Sequence, residues 1–578
     1  MRVNPRVLWA AGAALAVAAT TGLNLPAASA GGPAGPAGIR TTDNTAQLYV
    51  YRVEANTAAA ADRLSTGGFD LLEARSGRDL FVLGDAATAE RLRSAGFRPT
   101  VDQTLAPTSW TPPSTRLVPG AERRLADPID EVYNGGYRTV RAQHAHLDKV
   151  AVDKPELATV VDYGDSYLKT RNASTGYDLK AICLTKKKDG DCALTPDAPK
   201  PRFLLMTQIH AREIVTGDLA WRYIDHLVAG YGSDPEVTSL LDSTEVWVVP
   251  IVNPDGVDVV QQGGNRPYLQ RKNLNTSAGG NCPNPPTAFS QGGVDLNRNA
   301  GFRWGGSGTS TSPCDQQYKG TSADSEPETK GIEELTRKLF KDQRGPGDAD
   351  AAPRDTRGAM LTVHSYAGMH LYPWGFTTKD SPNEVGLRAI AAKMAGFTGY
   401  RYGQPGDILY NASGTSDDWS YGELGIASFT TELASCGTFT PAYSCASKEF
   451  ASNLPTLSYL AKIASAPYQT SLGIDTRVWA GAQGAGSVPV NASLDGAAFG
   501  QPMEGATPAR AQQVAAAEYT VDGGPARAMA LSGSGSRVNA HAQVPTAGLT
   551  PGRHLVRVRA RSGEGNWGPT SATWITVR

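Results

Sequence analysis

Short apolar runs recur through the middle of the chain, and several are followed by stretches of helical period. The run Phe203-Leu-Leu-Met-Thr-Gln-Ile209 precedes a helical pattern over 214–228, a second run covers 246–252, a third covers 360–363 and leads to a helical pattern at 389–394, and a fourth covers 427–431. Runs bounded this way read as buried strands. Their alternation with helices predicts an α/β region over 127–465, with a mixed, mostly parallel sheet and helices on both faces. In open α/β sheets ligands gather beyond the carboxyl ends of the strands. His210, Asn253, His364 and Glu432 each stand just past an apolar core, so the pattern predicts that these chemically capable groups converge on one crevice.

The flanks follow other periods. Residues 47–54 alternate like a strand, 57–64 are Ala-rich and helical, 71–74 and 80–83 make a strand pair around Ser76-Gly77, 86–95 are helical, and 98–101 make a last strand. The order βαββαβ, at about 46–102, is a small split-βαβ plan and predicts an α+β domain. A Pro-, Ser- and Thr-rich linker at 106–120 leads to Arg123-Arg124, a candidate processing site, so 31–124 reads as a propeptide, with a permanent accessory domain as the alternative. Beyond Pro467 the composition turns to Gly, Ala, Ser and Val, and alternating runs at 518–521, 555–558 and 574–577 are separated by turn signals. This predicts a β-sandwich of immunoglobulin or fibronectin type over 470–578, with Trp567 expected in its core.

Charge adds little. The 578 residues carry 55 basic against 56 acidic side chains, which leaves no electrostatic footprint for nucleic acid or an anionic membrane. The first residues add more. Arg2 and Arg6 precede an apolar segment at 7–17 that falls short of the ~20 residues a spanning helix needs, and Ala28-Ser29-Ala30 offers a small-x-small cleavage site. Residues 1–30 therefore read as a secretory signal peptide, and the mature chain as a secreted, extracellular monomer. Export permits disulfides, and proximity pairs Cys183 with Cys192, Cys282 with Cys314 and Cys436 with Cys445.

Of the eight His, only His210 and His364 end predicted strands. His210-Ala211-Arg212-Glu213 places an imidazole and a carboxylate within reach of one metal ion, and His364 supplies a third ligand. Three ligands leave zinc an open position, which distinguishes a hydrolytic centre from a closed structural site. His-x-x-Glu alone is weak; its bland reading is a helix start with a solvated acid.

The surroundings decide. In order they are Asn253-Pro-Asp-Gly256, Arg271-Lys-Asn273, Asp295-Leu-Asn-Arg-Asn299, Ser325-Glu-Pro-Glu-Thr329, Val363-His-Ser-Tyr366, Leu371-Tyr-Pro-Trp-Gly375, Tyr410-Asn-Ala-Ser-Gly414 and Thr431-Glu-Leu433. With the His-Ala-Arg-Glu stretch they resemble the zinc metallocarboxypeptidases of the A and B type across roughly 127–464, in outline the bacterial members with a C-terminal β-domain. The resemblance implies the zinc carboxypeptidase fold and one zinc per catalytic domain, held by His210, Glu213 and His364. It implies Glu432 as general base and Arg271 as the guanidinium that stabilises the growing negative charge on the peptide carbonyl. It further implies that Asn297 and Arg298 clamp the terminal carboxylate, for which Arg offers a planar bidentate fork. Tyr410 would close over the bound chain end, and Arg212 would contact the substrate one position upstream.

Asp417 corresponds to the base of the side-chain pocket, apolar in A-type enzymes and Asp in B-type ones, which implies a basic or mixed basic and apolar preference. Capping of the helix containing Trp419 by Asp417 or Asp418 is the alternative. The function expected is secreted hydrolysis of C-terminal peptide bonds, acting on peptide or protein C-termini. A peptidoglycan stem-peptide hydrolase and an inactive, enzyme-like binding protein are the alternatives. The C-terminal domain is a candidate for contact with a polymer or cell wall.

Overall fold

The computed structural model describes residues 47–105, 128–504 and 506–578. The signal-like segment and the linker with Arg123-Arg124 lie outside the described residues. Among those described, the α/β region holds an eight-stranded sheet in the order Arg401–Gly403, Met369–Leu371, Ala427–Leu433, Ala359–Ser365, Arg202–Thr207, Glu245–Val249, Asp178–Leu184, Ala158–Asp165. The four strands from Ala427–Leu433 to Glu245–Val249 run parallel, and antiparallel pairs flank them. Every residue of these four strands is buried. Burial at successive positions means that both faces are covered, which is why these strands read as continuous apolar runs. Helices Ile214–Gly230, Ser444–Ile463 and Glu384–Thr398 pack together in one layer. The core runs through Leu204, Trp247, Leu361, Phe429 and Tyr223, each essentially inaccessible.

The N-terminal domain follows βαββαβ: Leu48–Glu54, Ala58–Thr66, Asp70–Ser76, Asp79–Gly84, Ala86–Ser94 and Thr100–Leu105. Its helices start where local chemistry sets them. The Thr57 hydroxyl accepts from the Ala60 N–H, and Asp85 and Thr88 form a reciprocal capping box. The strands order as Asp70–Ser76, Asp79–Gly84, Leu48–Glu54, Thr100–Leu105, over a core of Val53, Leu64, Leu80, Val82 and Leu92.

The C-terminal domain consists of two four-stranded antiparallel sheets sharing a core that includes Ile474, Val490, Tyr519, Val556 and Val558. Trp567 departs from expectation. It is half-buried, with the guanidinium of Arg559 4.4 Å and that of Arg561 5.5 Å from its ring centre. Cation–π stacking covers the ring at the surface, so the indole does not need the core. All six cysteines pair, Cys183–Cys192, Cys282–Cys314 and Cys436–Cys445, as proximity implied. No helix among the described residues is long and apolar enough to cross a membrane.

A buried acidic cluster anchors the segment after Arg271. The Asn273 amide donates to Glu326 Oε2 at 2.7 Å and Glu328 Oε2 at 3.1 Å, and the Tyr167 N–H donates to Glu328 Oε1 at 2.7 Å. Burial, with Asp255 nearby, pushes the Glu328 carboxyl up to about 8 from an ordinary 4.5. Between those values the folded chain holds a proton that the unfolded chain releases. Glu328 therefore lowers stability as pH rises through that window, by at most about 1.4 kcal/mol per pH unit. Glu328→Gln keeps the shape and loses the titration, so its melting temperature should fall less than that of the parent between about pH 5 and about pH 8. Parallel pH dependences in thermal melts of the two proteins would contradict this assignment.

Candidate metal centre and substrate cleft

His210 follows strand Arg202–Thr207, and Glu213 stands at the N-cap of helix Ile214–Gly230. His364 belongs to strand Ala359–Ser365, in register with Glu432 on the neighbouring parallel strand. The sheet thus delivers the groups to one edge. His210 Nδ1 lies 2.8 Å from Glu213 Oε1 and 3.0 Å from His364 Nδ1, and His364 Nδ1 lies 3.1 Å from Glu213 Oε2. One donor atom from each residue lies within 4.8 Å of the others, and all three residues are buried. Two ring nitrogens face each other beside a carboxylate, an arrangement that a single cation satisfies. Two imidazoles and a carboxylate are the donor set of hydrolytic zinc. The residues present fit that ion.

Asp295 lies behind the donors. Its Oδ1 is 3.1 Å from His210 Nε2, and its Oδ2 accepts from Arg271 Nε and Nη2 at 3.1 Å each. Burial alone would raise the Asp295 carboxyl, but Arg271, His210 and Arg298 hold it well below the ordinary carboxylate range. Burial, together with Arg271, lowers the His210 pKa, which favours the neutral, ligating imidazole. In the sequence Asp295 stands in a polar cluster with no role of its own. Its place two residues before Asn297-Arg298 was the available signal.

A cavity of about 50 Å³ beside the donors is lined by His210, His364, Glu432, Asn297, Arg298, Tyr410 and Asp417, with Leu371, Pro405, Leu409 and Thr430 among its other walls. Arg298 is pre-oriented, its Nε donating to the Gly308 carbonyl and its Nη1 to the Asn297 carbonyl, both at 2.8 Å. The Asn297 amide oxygen accepts from the Ser416 N–H at 3.0 Å. Asp417 does not cap its own helix; it faces the cavity and accepts from the Thr430 hydroxyl at 3.0 Å. Asp418 is turned away, accepting from the N–H groups of Gly375 and Phe376. Burial, reinforced by Asp417, pushes the Asp418 carboxyl well up.

Two residues stand apart from this convergence. Asn253 caps helix Pro254–Gln262, and its amide donates to the Ile209 and Arg271 carbonyls, so it fixes backbone rather than facing the cavity. Arg212 is fully buried and engaged elsewhere. Its guanidinium grips Asp70 of the N-terminal domain through two bonds of 2.9 and 3.0 Å, donates to the Ala288 carbonyl and lies 4.0 Å from the Phe439 ring centre. The same domain contacts the cleft further. Arg75 Nη1 donates to the Leu409 carbonyl, Gln317 donates to the Phe69 carbonyl, and Leu409, Tyr410 and Ala412 join the core of the N-terminal domain.

Three convergent donors at the carboxyl edge of a mixed sheet, with a guanidinium and a further carboxylate beside them, define a metallohydrolase-type centre. Residues 143–454 match the family model described as zinc carboxypeptidase. Carboxypeptidase A2 of Mus musculus is 31% identical over 316 residues, covering 53% of this chain and 64% of its own length. Carboxypeptidase B of Bos taurus is 30% identical over 309 residues, covering 52% and 64%. The chain thus spans just under two thirds of the length of these curated relatives. Among solved structures, carboxypeptidase A from Helicoverpa armigera superposes with a TM-score of 0.53 at 23% identity, covering 72% of this chain and 98% of that one. Thrombin activatable fibrinolysis inhibitor gives 0.52 at 20% identity, covering 73% and 99%. These two likenesses show the fold. The chain belongs to the zinc carboxypeptidase family, whose members are zinc-dependent.

The geometry makes Asp295 the group that orients His210. Asp295→Asn should weaken zinc affinity by about 10- to 100-fold, as loss of such outer partners does elsewhere. Competition with a chelator of known affinity measures this, and an unchanged affinity would remove Asp295 from the metal centre.

Proposed function

We propose that the chain is a zinc-dependent carboxypeptidase that hydrolyses the last peptide bond of polypeptides, prefers basic or mixed basic and apolar C-terminal residues, and is exported as a latent precursor. One observation carries the reading. The donors His210 and His364 line the same cavity as Glu432, the pre-oriented Arg298 and Asp417. His210, Glu213 and His364 would hold the zinc, which supplies a Lewis acid and lowers the pKa of a water toward ~7.

Glu432 takes the proton from the attacking water and returns it to the leaving amine. Arg271 stabilises the negative charge that grows on the carbonyl oxygen. Asn297 and Arg298 receive the terminal carboxylate, and Tyr410 closes over the bound chain end. Asp417 offers a negative charge to a Lys or Arg side chain, while Leu371, Leu409 and Pro405 offer apolar wall to its stem or to an apolar residue. Kinetics on peptides ending in Arg, Lys, Phe and Leu test this, with Glu432→Gln expected to cost about 10²- to 10⁴-fold in rate. Asp417→Asn should lower the rate on Arg relative to Phe. Arg cleaved no faster than Phe, with no change in that ratio on Asp417→Asn, would sink the basic preference.

Latency is supported by the contacts of the N-terminal domain. Asp70 takes the guanidinium of Arg212, the residue matched to upstream substrate contact, and the Leu409–Tyr410 segment is packed into the core of that domain. Three disulfides support an oxidising, extracellular setting. Cleavage within 106–127 should therefore release activity. Removing one partner of a buried ion pair costs about 3–5 kcal/mol, so Asp70→Ala should loosen the cover and give the uncleaved chain measurable activity. Equal activity of the parent before and after cleavage would refute latency.

A further inference from the structure

One loop of the C-terminal domain packs into an apolar cluster that includes a wall residue of the cavity beside the donors. Strands Ser487–Asp495 and Val514–Val521 are joined by a segment that leaves the sandwich and runs along the edge of the catalytic sheet. The Gly500 N–H donates to the Ala392 carbonyl and the Met503 N–H to the Tyr402 carbonyl, both at 2.8 Å. Pro502 forms a parallel bridge with Tyr402 in edge strand Arg401–Gly403, and the Tyr402 hydroxyl accepts from the Ala509 N–H at 3.1 Å. Phe499 packs against the main core, and the Lys393 ammonium lies 4.8 Å from its ring centre. The approach is close enough to require glycine, since a Cβ on Gly500 would sit 2.4 Å from the Ala395 Cβ. The segment is therefore held in register against the catalytic domain.

This register seats Met503, 7% exposed, in one apolar cluster with Met369, Leu371 and Ile408. Leu371 is a wall of the cavity beside the metal donors, and Ile408 immediately precedes two further wall residues, Leu409 and Tyr410. We propose that Met503 is a positioning residue for the side-chain pocket. From the C-terminal β-domain it backs the Leu371 wall and the segment that carries Tyr410, so that the sandwich sets which C-terminal residues the enzyme accepts. The inference rests on the carboxypeptidase reading and adds a role for the C-terminal domain. Met503 touches neither substrate nor donors. Its loss should change how well a side chain fills the pocket and leave the chemical step alone.

The test uses the full chain, zinc-loaded, assayed before and after cleavage within 106–127. Met503→Ala should lower kcat/KM for peptides ending in Arg or Phe by about tenfold, through KM, while peptides ending in Ala change by less than about twofold. Met503→Leu should restore the parent selectivity, with zinc content unchanged in both variants. Gly500→Ala, which displaces the same segment, should shift selectivity in the same direction. If Met503→Ala does not fold, Met503→Val carries the same comparison with less volume lost. A uniform loss across Arg, Phe and Ala termini, a loss in kcat alone, or no change would overturn the inference. Inactivity of the unmutated enzyme on every C-terminal residue would instead overturn the carboxypeptidase reading.

Discussion

The buried carboxylate of Asp295 is the constraint on which the centre depends. It has no exposure to solvent and meets an imidazole with one oxygen and a guanidinium with the other. A proton on His210 Nε2 that points at Asp295 leaves the Nδ1 lone pair facing Glu213 and His364. The same carboxylate fixes Arg271 and offsets its charge in a place where an unpaired guanidinium would be costly. One side chain thereby sets a tautomer, a charge balance and the position of a cation, and the parallel strands supply the rest by ending together.

The N-terminal domain meets that centre with an ion pair of another kind. Asp70 and Arg212 are both fully buried, and the guanidinium also stacks on Phe439 and bonds the Ala288 carbonyl. Such a pair pays for its desolvation only through near-complete hydrogen bonding, which the two parallel bonds provide. Around it, Leu48, Val50, Leu72 and Leu83 pack with Ala288 and Phe439. Apolar burial thus supplies adhesion, while the ion pair sets register. The space left beside the donors is about 50 Å³, whereas a cavity of about 380 Å³ remains between the catalytic and C-terminal domains.

Along edge strand Arg401–Gly403 the exposed-edge problem of an open sheet is solved by another segment of the same chain. The bridge from Pro502 to Tyr402 covers part of strand Arg401–Gly403, and buried Lys393 pairs with the partly buried Asp475 at 2.6 Å, which ties the sandwich to helix Glu384–Thr398. Arg557 adds bonds to Ser239 and Asp242 from the sandwich strand Gly552–Ser562. These contacts make the C-terminal domain continuous with the framework that carries the pocket wall.

Much of this was legible in the sequence because burial leaves a period. Strands buried on both faces, such as Arg202–Thr207 and Ala427–Leu433, read as apolar runs, and the helices between them show their own spacing. The outer strand Ala158–Asp165 is only partly buried, and Met369–Leu371 and Arg401–Gly403 are three residues each, so none of these left a usable signal. Position past an apolar run could not separate His210, which turns into the centre, from Asn253, which turns into backbone. Which residue types stand at strand ends and which cysteines lie near one another follow from local order along the chain. The fold, by contrast, sets Asp70 against Arg212, Asp295 between His210 and Arg271, and Met503 in one apolar cluster with Leu371. These pairings depend on strand order and on packing between distant segments, which no local pattern encodes.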